Sequence, residues 1–347
     1  MSETLKNPGI SIIMPCYNTE KYIKKTLDSI FGQSFKDFEL IMVDDGSKDS
    51  TPEIVDKCAE DHPGIVKVIH QENGGQSIAR NAAFEHATGD YIVFWDSDDY
   101  ADVDYLEKLY TAAIENDSEM VLSGSHYVNE NGVILENLHY PVDQYPNYAG
   151  RRLSPHGKLY KREYLNRHNF RFAEGKRYED NPFNFMAMFL CKNQVILPYT
   201  GHYQVVHTSS VTSSVMDSNK IPYEAMENAL KYVNEHADEV NDRSIFEYTV
   251  LGFMTYFIFL GNREHMRAAY NKNSGYKNGN ALIKELCDFA QRVIPEQMPN
   301  YNKNCHVGIF KEKPLQFRQR AGVWLFTKLI KTHTLKAFAM LYYFFLR

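Results

Sequence analysis

Short apolar runs alternate with stripes of apolar residues at helical spacing over the first third of the chain. Between the first two runs, Ile23, Leu27 and Ile30 recur every three or four residues, which is the spacing of one buried helix face. Asn18 precedes this stripe and can cap the helix. The runs predict strands at residues 10–15, 38–43, 66–69, 91–95 and 120–124. Because single helices separate them, these strands should form a parallel sheet with right-handed crossovers.

Polar clusters follow three of the predicted strands at the point where each strand ends. Residues 15–18 follow the first strand, residues 44–47 the second and residues 96–99 the fourth. In an open parallel sheet, ligands bind beyond the carboxyl ends of the strands. We therefore expect side chains that are far apart in the sequence to share one crevice.

The pattern changes in the second half of the chain. Residues 140–215 are rich in Tyr, Arg and His without a regular period, whereas residues 220–300 carry helical stripes such as ALIKELCDFAQRV. The sequence therefore predicts an α/β domain at residues 1–215, a helical region at 216–305 and a basic amphipathic segment at 306–347.

Composition narrows the class of protein further. The chain has 347 residues, of which 44% are hydrophobic and 24% charged, as is typical of a globular protein. A formal net charge of −6 argues against a nucleic-acid partner. Five scattered cysteines without a CxxC pair fit a reducing compartment, and the first residues lack the features of a signal peptide. We therefore expect a cytoplasmic protein.

The stretch YIVFWDSDDY places three carboxylates, Asp96, Asp98 and Asp99, at the end of an apolar run. Crowded like charges are unfavourable unless a cation or a proton compensates them. A solvated turn explains one carboxylate better than three, and a calcium loop would need Gly where Ala101 stands. A phosphohydrolase with an aspartyl nucleophile should carry a smaller residue than Tyr100. A site for Mg²⁺ or Mn²⁺ bound to a substrate diphosphate uses all three acids.

Four segments of the chain carry a resemblance to a known family. The chain has no GxxxxGK[ST] loop and no GxGxxG turn, so neither a P-loop nucleotidase nor a dinucleotide enzyme is indicated. The segments are SIIMPCYNTEKYIKKTLDSIFGQSFKDFELIMVDDGSKDST (11–51), NGGQSIARNAAFEHATGDYIVFWDSDD (73–99), HGKLYKREYL (156–165) and YEDNPF (178–183). In order and spacing they resemble the inverting family-2 glycosyltransferases of GT-A fold that assemble bacterial glycans. The resemblance implies a Rossmann-like α/β fold, with a mostly parallel sheet flanked by helices and a helical C-terminal region.

The resemblance also implies roles for individual residues. Asp180 would be the catalytic base, and Asn181 would cap the next helix, which leaves Asp180 free to point into the cleft. Asp98 would be the principal metal ligand, joined by Asp96 and His207. The residues implied in binding the nucleotide-sugar donor are Pro15, Tyr17, Asn18, Asp44, Asp45, Gly75, Arg80, Asp96, Asp99 and Glu179. Each position also has a simpler structural explanation, since DDGS is a good turn sequence and acids near a helix start complement its dipole.

Two segments depart from the family pattern. The tryptophan that often stands near His156 is absent, and Val205 and Val206 stand where a basic residue commonly follows the later Tyr-rich strand. These departures concern the donor and acceptor sites and not the fold.

The implied reaction moves a sugar from a nucleoside diphosphate to a hydroxyl with inversion, and it uses Mn²⁺ or Mg²⁺ as cofactor. UDP is the expected nucleotide, and a glycan or lipid-linked oligosaccharide is the expected acceptor. Two alternatives remain open at this point. One is an Asp-based phosphohydrolase, and the other is a catalytically silent scaffold that only binds a nucleotide sugar.

Basic and apolar residues interleave in the C-terminal segment 317–347. Such a pattern suits an interfacial helix on an anionic membrane. It equally suits a helix that docks on the core or contacts a second copy of the chain in a homo-oligomer. An enzyme that acts on lipid-linked sugars needs access to the membrane, so we expect peripheral contact at the inner face of the cell membrane.

Overall fold

A nine-stranded sheet forms the centre of the protein. The structure, a computed structural model, describes residues 7–139, 153–175, 178–207, 221–260, 279–311 and 317–345. The strands are β1 (Ile10–Cys16), β2 (Phe38–Asp44), β3 (Val66–His70), β4 (Tyr91–Phe94), β5 (Tyr100–Ala101), β6 (Met120–Asn129), β7 (Ile134–Leu138), β8 (Lys158–Lys161) and β9 (Gln194–Val206). Across the sheet their order is β3-β2-β1-β4-β8-β6-β9-β5, and β7 pairs with β6.

All five predicted strands are present, and four of them form the parallel part of the sheet. β1 pairs in parallel with β2 and β4, and β2 pairs in parallel with β3. β1, β2 and β4 are buried along their whole length, as expected for parallel strands covered on both faces. Beyond β4 the sheet is mixed, because β8 runs antiparallel to both β4 and β6.

Helices flank the sheet and dominate the C-terminal half of the chain. Those in the first half are α1 (Ile23–Phe31), α2 (Thr51–Asp61), α3 (Gln76–Glu85), α4 (Tyr105–Glu115), α5 (Arg162–Arg167) and α6 (Asp180–Phe189). Those in the second half are α7 (Tyr223–Glu235), α8 (Arg243–Thr255), α9 (Gly279–Gln297), α10 (Phe317–Lys331) and α11 (Leu335–Phe345). The predicted α/β class with a helical C-terminal region is confirmed.

Two predicted helix starts are wrong. Asn18 does not cap α1, because its side-chain oxygen instead accepts the backbone N–H of Lys48 at 2.7 Å. Its backbone adopts the left-handed region, with φ of 52°. Asn181 does not cap α6, which already begins at Asp180. The N–H of Asn181 donates to the carbonyl of Tyr178, so the helical turn forms one step earlier than the sequence suggests.

The helical C-terminal half packs against the sheet through one continuous apolar core. This core joins Phe94 of β4 and Phe185 of α6 to Leu251 of α8 and Phe326 of α10. The C-terminal segment therefore docks on the core, which is one of the alternatives that its pattern left open. Phe317 remains exposed, and peripheral membrane contact stays a prediction.

The predicted boundary at residue 215 lies outside the described residues, so the division into domains stays a prediction. Within the part of the chain that the structure describes, no helix combines the length and the apolar character needed to cross a membrane.

Candidate active site

The carboxyl ends of β1, β2 and β4 lie side by side. Cys16 pairs with Asp44 across β1 and β2. The N–H of Trp95, which directly follows β4, donates to the carbonyl of Ile13 in β1. The acidic turn at residues 96–99 thus begins at the sheet edge that also carries the other two polar clusters. The predicted convergence is present in the structure.

The end of β1 offers one exposed aromatic ring. Tyr17 is 48% exposed, so its ring is available for stacking on a planar group such as a nucleotide base. Pro15 is buried within β1, one residue before the strand ends. Asn18 joins the loops after β1 and β2, because its N–H donates to the Ser47 hydroxyl at 3.0 Å.

The two acids after β2 hold the neighbouring loops. Asp44 accepts the N–H of Ser47 at 3.1 Å and lies 3.1 Å from Nδ1 of His70. The buried carboxylate of Asp45 accepts the N–H of Gly75 at 2.7 Å. It also accepts the side-chain amide of Gln71 and the N–H of Gly74. Contact of Asp45 with a base stays a prediction, since in this structure its carboxylate binds residues 71–75.

Gly75 occupies a position that favours glycine. Its φ of 91° lies in the left-handed region, and it directly precedes the first residue of α3. This conformation turns its N–H towards Asp45 and leads the chain into the helix that carries Arg80. Gly75 therefore positions other site residues.

Arg80 of α3 connects the acidic turn to the start of α6. It is only 2% exposed, and its Nη2 donates to Oδ1 of Asp96 at 2.8 Å. Its Nη1 lies 3.5 Å from Oε1 of Glu179. On the other side of Asp96, Nε2 of His156 lies 3.1 Å from Oδ2. Burial raises the pKa of Asp96, but the charges of His156 and Arg80 outweigh it and hold that pKa well below its usual range.

Two acids at the start of α6 have raised pKa values. Burial, followed by the charge of Asp180, raises the pKa of Glu179 to about 7, while Arg80 opposes the shift. Burial also raises the pKa of Asp180, against the charges of Arg80 and His156. A carboxylate with a raised pKa is a stronger proton acceptor, which is the property that a general base requires.

Asp98 meets a histidine from the end of β9. Nε2 of His207 lies 3.0 Å from Oδ2 of Asp98, and Nδ1 of the same ring lies 2.8 Å from Oε1 of Glu130. The ring also packs on Tyr22, with centroids 4.2 Å apart. Burial and the charge of Asp96 raise the pKa of Asp98, while His207 lowers it. The structure thus brings together two of the three predicted metal ligands in direct contact.

These side chains fit a divalent cation on chemical grounds. Carboxylate oxygens suit Mg²⁺ and Mn²⁺, and one imidazole is compatible with Mn²⁺. Asp96, Asp99 and His156 also bring three possible ligand atoms within 4.8 Å of one another. Since Arg80 already neutralises Asp96, Asp98 with His207 is the better pair to receive a cation.

Asp99 faces β9 and not the open side of the site. It is buried, its Oδ1 accepts the N–H of Val205 at 2.9 Å, and its Oδ2 lies 3.7 Å from Nε2 of His202. Burial and the charges of Asp98 and Asp96 raise its pKa well above the usual range. The observed contacts hold the acidic turn against β9, and contact with the donor sugar stays a prediction.

Sequence reasoning missed three residues of this site. His156 lies in the HGKLY segment that carries part of the family resemblance, but the resemblance implies no role for it. Glu130 and His202 carry no sequence signal, because the pairing of β9 with β5 and β6 brings their strands to the acidic turn. Burial and the charge of His156 lower the pKa of His202 to about 3, so this ring is neutral inside the site.

Comparison with known proteins assigns the family. A model of glycosyl transferase family 2 matches residues 11–186, half of the chain, and this range includes the acidic turn and Asp180. This chain belongs to glycosyl transferase family 2. The resemblance to family 2 drawn from the sequence is confirmed.

One relative in sequence and two solved structures illustrate the similarity. Glycosyltransferase GlyA of Streptococcus pneumoniae is 37% identical over 213 residues, which are 55% of this chain and 30% of GlyA. S. aureus TarS 1–349 in complex with UDP-GlcNAc has a TM-score of 0.67 at 23% identity, covering 93% of this chain and 90% of that one. Mannosyltransferase PcManGT from Pyrobaculum calidifontis, in complex with GDP-Man and Mn²⁺, has a TM-score of 0.50 at 18% identity, covering 95% and 88%. The two solved structures show that this chain shares their fold. The chain spans less than a third of the length of GlyA.

Proposed function

We propose that this family member is a glycosyltransferase that moves a sugar with inversion from a UDP-sugar to a hydroxyl of a glycan or lipid-linked oligosaccharide, assisted by Mn²⁺ or Mg²⁺. The observation that carries the proposal is the link made by Arg80. Its guanidinium contacts Asp96 of the acidic turn and Glu179 at the start of α6. A donor held at the turn would therefore lie beside Asp180.

Asp180 is the proposed general base. It would take the proton of the acceptor hydroxyl while the oxygen attacks the anomeric carbon from the face opposite the diphosphate. Because burial raises its pKa, it holds a proton more tightly than an exposed aspartate would. Such assistance is typically worth roughly 10²–10⁴-fold in rate.

Asp98 and His207 are the proposed residues that hold the divalent ion. A bound Mn²⁺ or Mg²⁺ would neutralise the negative charge that develops on the departing diphosphate. The choice of a nucleotide sugar and a divalent ion is supported by TarS, which was solved in complex with UDP-GlcNAc, and by PcManGT, which was solved with GDP-Man and Mn²⁺. Tyr17 is the proposed platform for the base, because its ring is the exposed one at the end of β1.

Separate substitutions distinguish the two acidic sites. Asp180→Asn should bind UDP and Mn²⁺ like the wild type in isothermal titration, yet lose at least about 100-fold in sugar transfer. Asp98→Ala should lose the metal-dependent part of UDP binding. Asp61→Asn, on the exposed side of α2, is the matched control and should change neither quantity.

The outcomes separate this proposal from its alternatives. Full transfer activity in Asp180→Asn would remove Asp180 from its role. Metal-dependent UDP binding without transfer to any hydroxyl acceptor would favour a silent scaffold. Release of free phosphate without a sugar acceptor would favour the Asp-based phosphohydrolase.

A further inference from the structure

A second group of potential metal ligands lies apart from the acidic turn. His168 follows the last residue of α5, His236 follows the last residue of α7, and Glu239 lies three residues beyond His236. One ligand atom from each lies within 4.8 Å of the other two. We call these three residues the His-His-Glu cluster. It shares no residue with the candidate active site, so an inference about it is independent of the proposed function.

One residue, Tyr232 of α7, orients both histidines. Its backbone carbonyl lies 2.9 Å from Nδ1 of His236. Because a carbonyl oxygen can only accept, this Nδ1 carries the proton, and Nε2 of the neutral ring is left with a lone pair. The hydroxyl of Tyr232 lies 3.1 Å from Nδ1 of His168, which leaves Nε2 of that ring in the same state when Nδ1–H donates. Such hydrogen bonds to the far nitrogen are the usual support of a metal-binding histidine.

The free nitrogen of His168 is buried and has no partner. His168 is 6% exposed, and its Nε2 makes no hydrogen bond to any residue that the structure describes. The nearest carboxylate oxygen, Oε2 of Glu239, is 3.8 Å away, which is too far for a hydrogen bond. A buried nitrogen that faces a carboxylate without bonding to it is costly unless something lies between them.

We propose that the His-His-Glu cluster binds a Zn²⁺-class transition-metal ion, with a water molecule as the fourth ligand. Two imidazoles and one carboxylate form a ligand set that Zn²⁺ uses in proteins, whereas Mg²⁺ prefers oxygen ligands. Tetrahedral bonds of about 2.0–2.1 Å place neighbouring ligand atoms about 3.3 Å apart. A bound ion would therefore draw His168 and Glu239, now 3.8 Å apart, about 0.5 Å closer, and no pair of the cluster by more than about 1.5 Å. Lys192, whose Nζ lies 3.6 Å from Oε2 of Glu239, would hold that carboxylate from outside.

The ion would join two parts of the chain. His168 belongs to the end of α5, which follows β8 of the sheet, whereas His236 and Glu239 belong to the helical C-terminal half. A bound ion would thus fasten the end of α7 to the α/β part of the molecule. The expected role is structural, and the site is expected to bind metal whether or not a nucleotide sugar is present.

The test measures Zn²⁺ bound per chain after chelator treatment and dialysis, without nucleotide. The acidic turn could also bind Zn²⁺, so the full-length Asp98→Ala variant serves as the background. This variant should retain one tightly bound Zn²⁺, and adding His236→Gln should remove it. Adding His86→Gln, an exposed histidine after α3, is the matched control and should leave the stoichiometry at one. Bound Zn²⁺ should also raise the melting temperature of the background variant but not of the His236→Gln variant.

A milder variant guards against misfolding. Tyr232→Phe keeps the carbonyl and the ring but removes the hydroxyl that orients His168, so Zn²⁺ affinity should fall roughly 10–100-fold. X-ray absorption of the Zn²⁺-loaded Asp98→Ala protein should show two imidazoles among nitrogen and oxygen ligands at about 2.0–2.1 Å. The proposal is overturned if Asp98→Ala binds no Zn²⁺ tightly, if Tyr232→Phe binds it as tightly as its parent, or if fewer than two imidazoles surround the ion.

Discussion

Arg80 is the residue whose removal tests the organisation of the site most directly. It is buried, and its guanidinium lies 2.8 Å from Asp96 and 3.5 Å from Glu179. Arg80→Met keeps a long apolar side chain against Phe172 but removes the cation that Glu179 and Asp96 share, while Asp96 retains His156 at 3.1 Å. We expect the unliganded variant to fold, to be less stable than the wild type, and to lose donor binding.

The size of the loss follows from the burial of the pair. Removing one partner of a buried ion pair typically destabilises a protein by about 3–5 kcal/mol. Glu179, whose pKa is already about 7, can take up a proton at little cost, so the lower end, about 3 kcal/mol, is expected near neutral pH. At about 2 °C per kcal/mol for a chain of this size, the melting temperature should fall by about 6 °C.

The loss should depend on pH in a defined direction. Arg80 opposes the raised pKa of Glu179, so without Arg80 that folded-state pKa rises above about 7. The stability that a protonated Glu179 contributes is present at low pH and lost as the pH rises through the folded-state pKa, so the deficit of Arg80→Met should grow between about pH 6 and about pH 8. Scanning calorimetry of the wild type and the variant across this range measures it.

Two companion variants make the calorimetry decisive. Adding Glu179→Gln to Arg80→Met should recover roughly 1–3 kcal/mol at about pH 8, because it removes the carboxylate that has lost its cation. Arg171→Met, which breaks a surface pair with Glu85, should cost no more than about 1 kcal/mol. The reasoning fails if Arg80→Met melts with the wild type, or if its deficit neither changes with pH nor shrinks on adding Glu179→Gln.

Three further outcomes can be checked. Hydrogen bonds from Lys67, Ser11 and Thr88 outweigh the burial of Glu39 and lower its pKa from 4.5 to about 2. The contribution of Glu39 to the free energy of unfolding, about 3 kcal/mol, should therefore be lost between pH 4.5 and about 2 in an acid titration, and Glu39→Gln should abolish that part of the slope. His207→Ala should raise the Mn²⁺ concentration needed for half-maximal transfer at least roughly tenfold, and an unchanged requirement would exclude it as a ligand. Gly89→Ala should cost about 1–3 kcal/mol in urea titration, because a Cβ there would lie 2.6 Å from the N atom of Ser11; unaltered stability would contradict this.

The parallel half of the fold could be predicted because its signals are local. β1, β2 and β4 are short apolar runs separated by single helices, and the handedness of the crossovers then leaves few possible arrangements. The antiparallel additions could not be predicted in this way. β8 lies between β4 and β6 although it follows both in the sequence, and this insertion depends on tertiary packing.

Part of the candidate site could likewise be predicted from local signals, and part could not. Residues 44–45 and 96–99 could be located because parallel strands end at one edge of the sheet. The partner of Asn18 could not be predicted, because its side-chain oxygen can accept an N–H either from the following helix or from the loop after β2. In the structure it accepts the N–H of Lys48 in that loop. The pairing of His207 with Asp98 is implied by the family resemblance and not by a local pattern, because the place of β9 in the sheet depends on tertiary packing.

The length of β9 carries a consequence of its own. This strand has 13 residues and runs along β6 until Asn129 pairs with Val206, immediately before His207. Two register shifts absorb the three residues by which β9 exceeds its ten-residue partner β6. Beyond the second shift, residues 202–206 pair with β6 in unbroken register, and their side chains alternate between the two faces. Gaining or losing one residue in this last stretch would aim His207 away from Asp98, so among descendants of this protein its composition can vary more freely than its length.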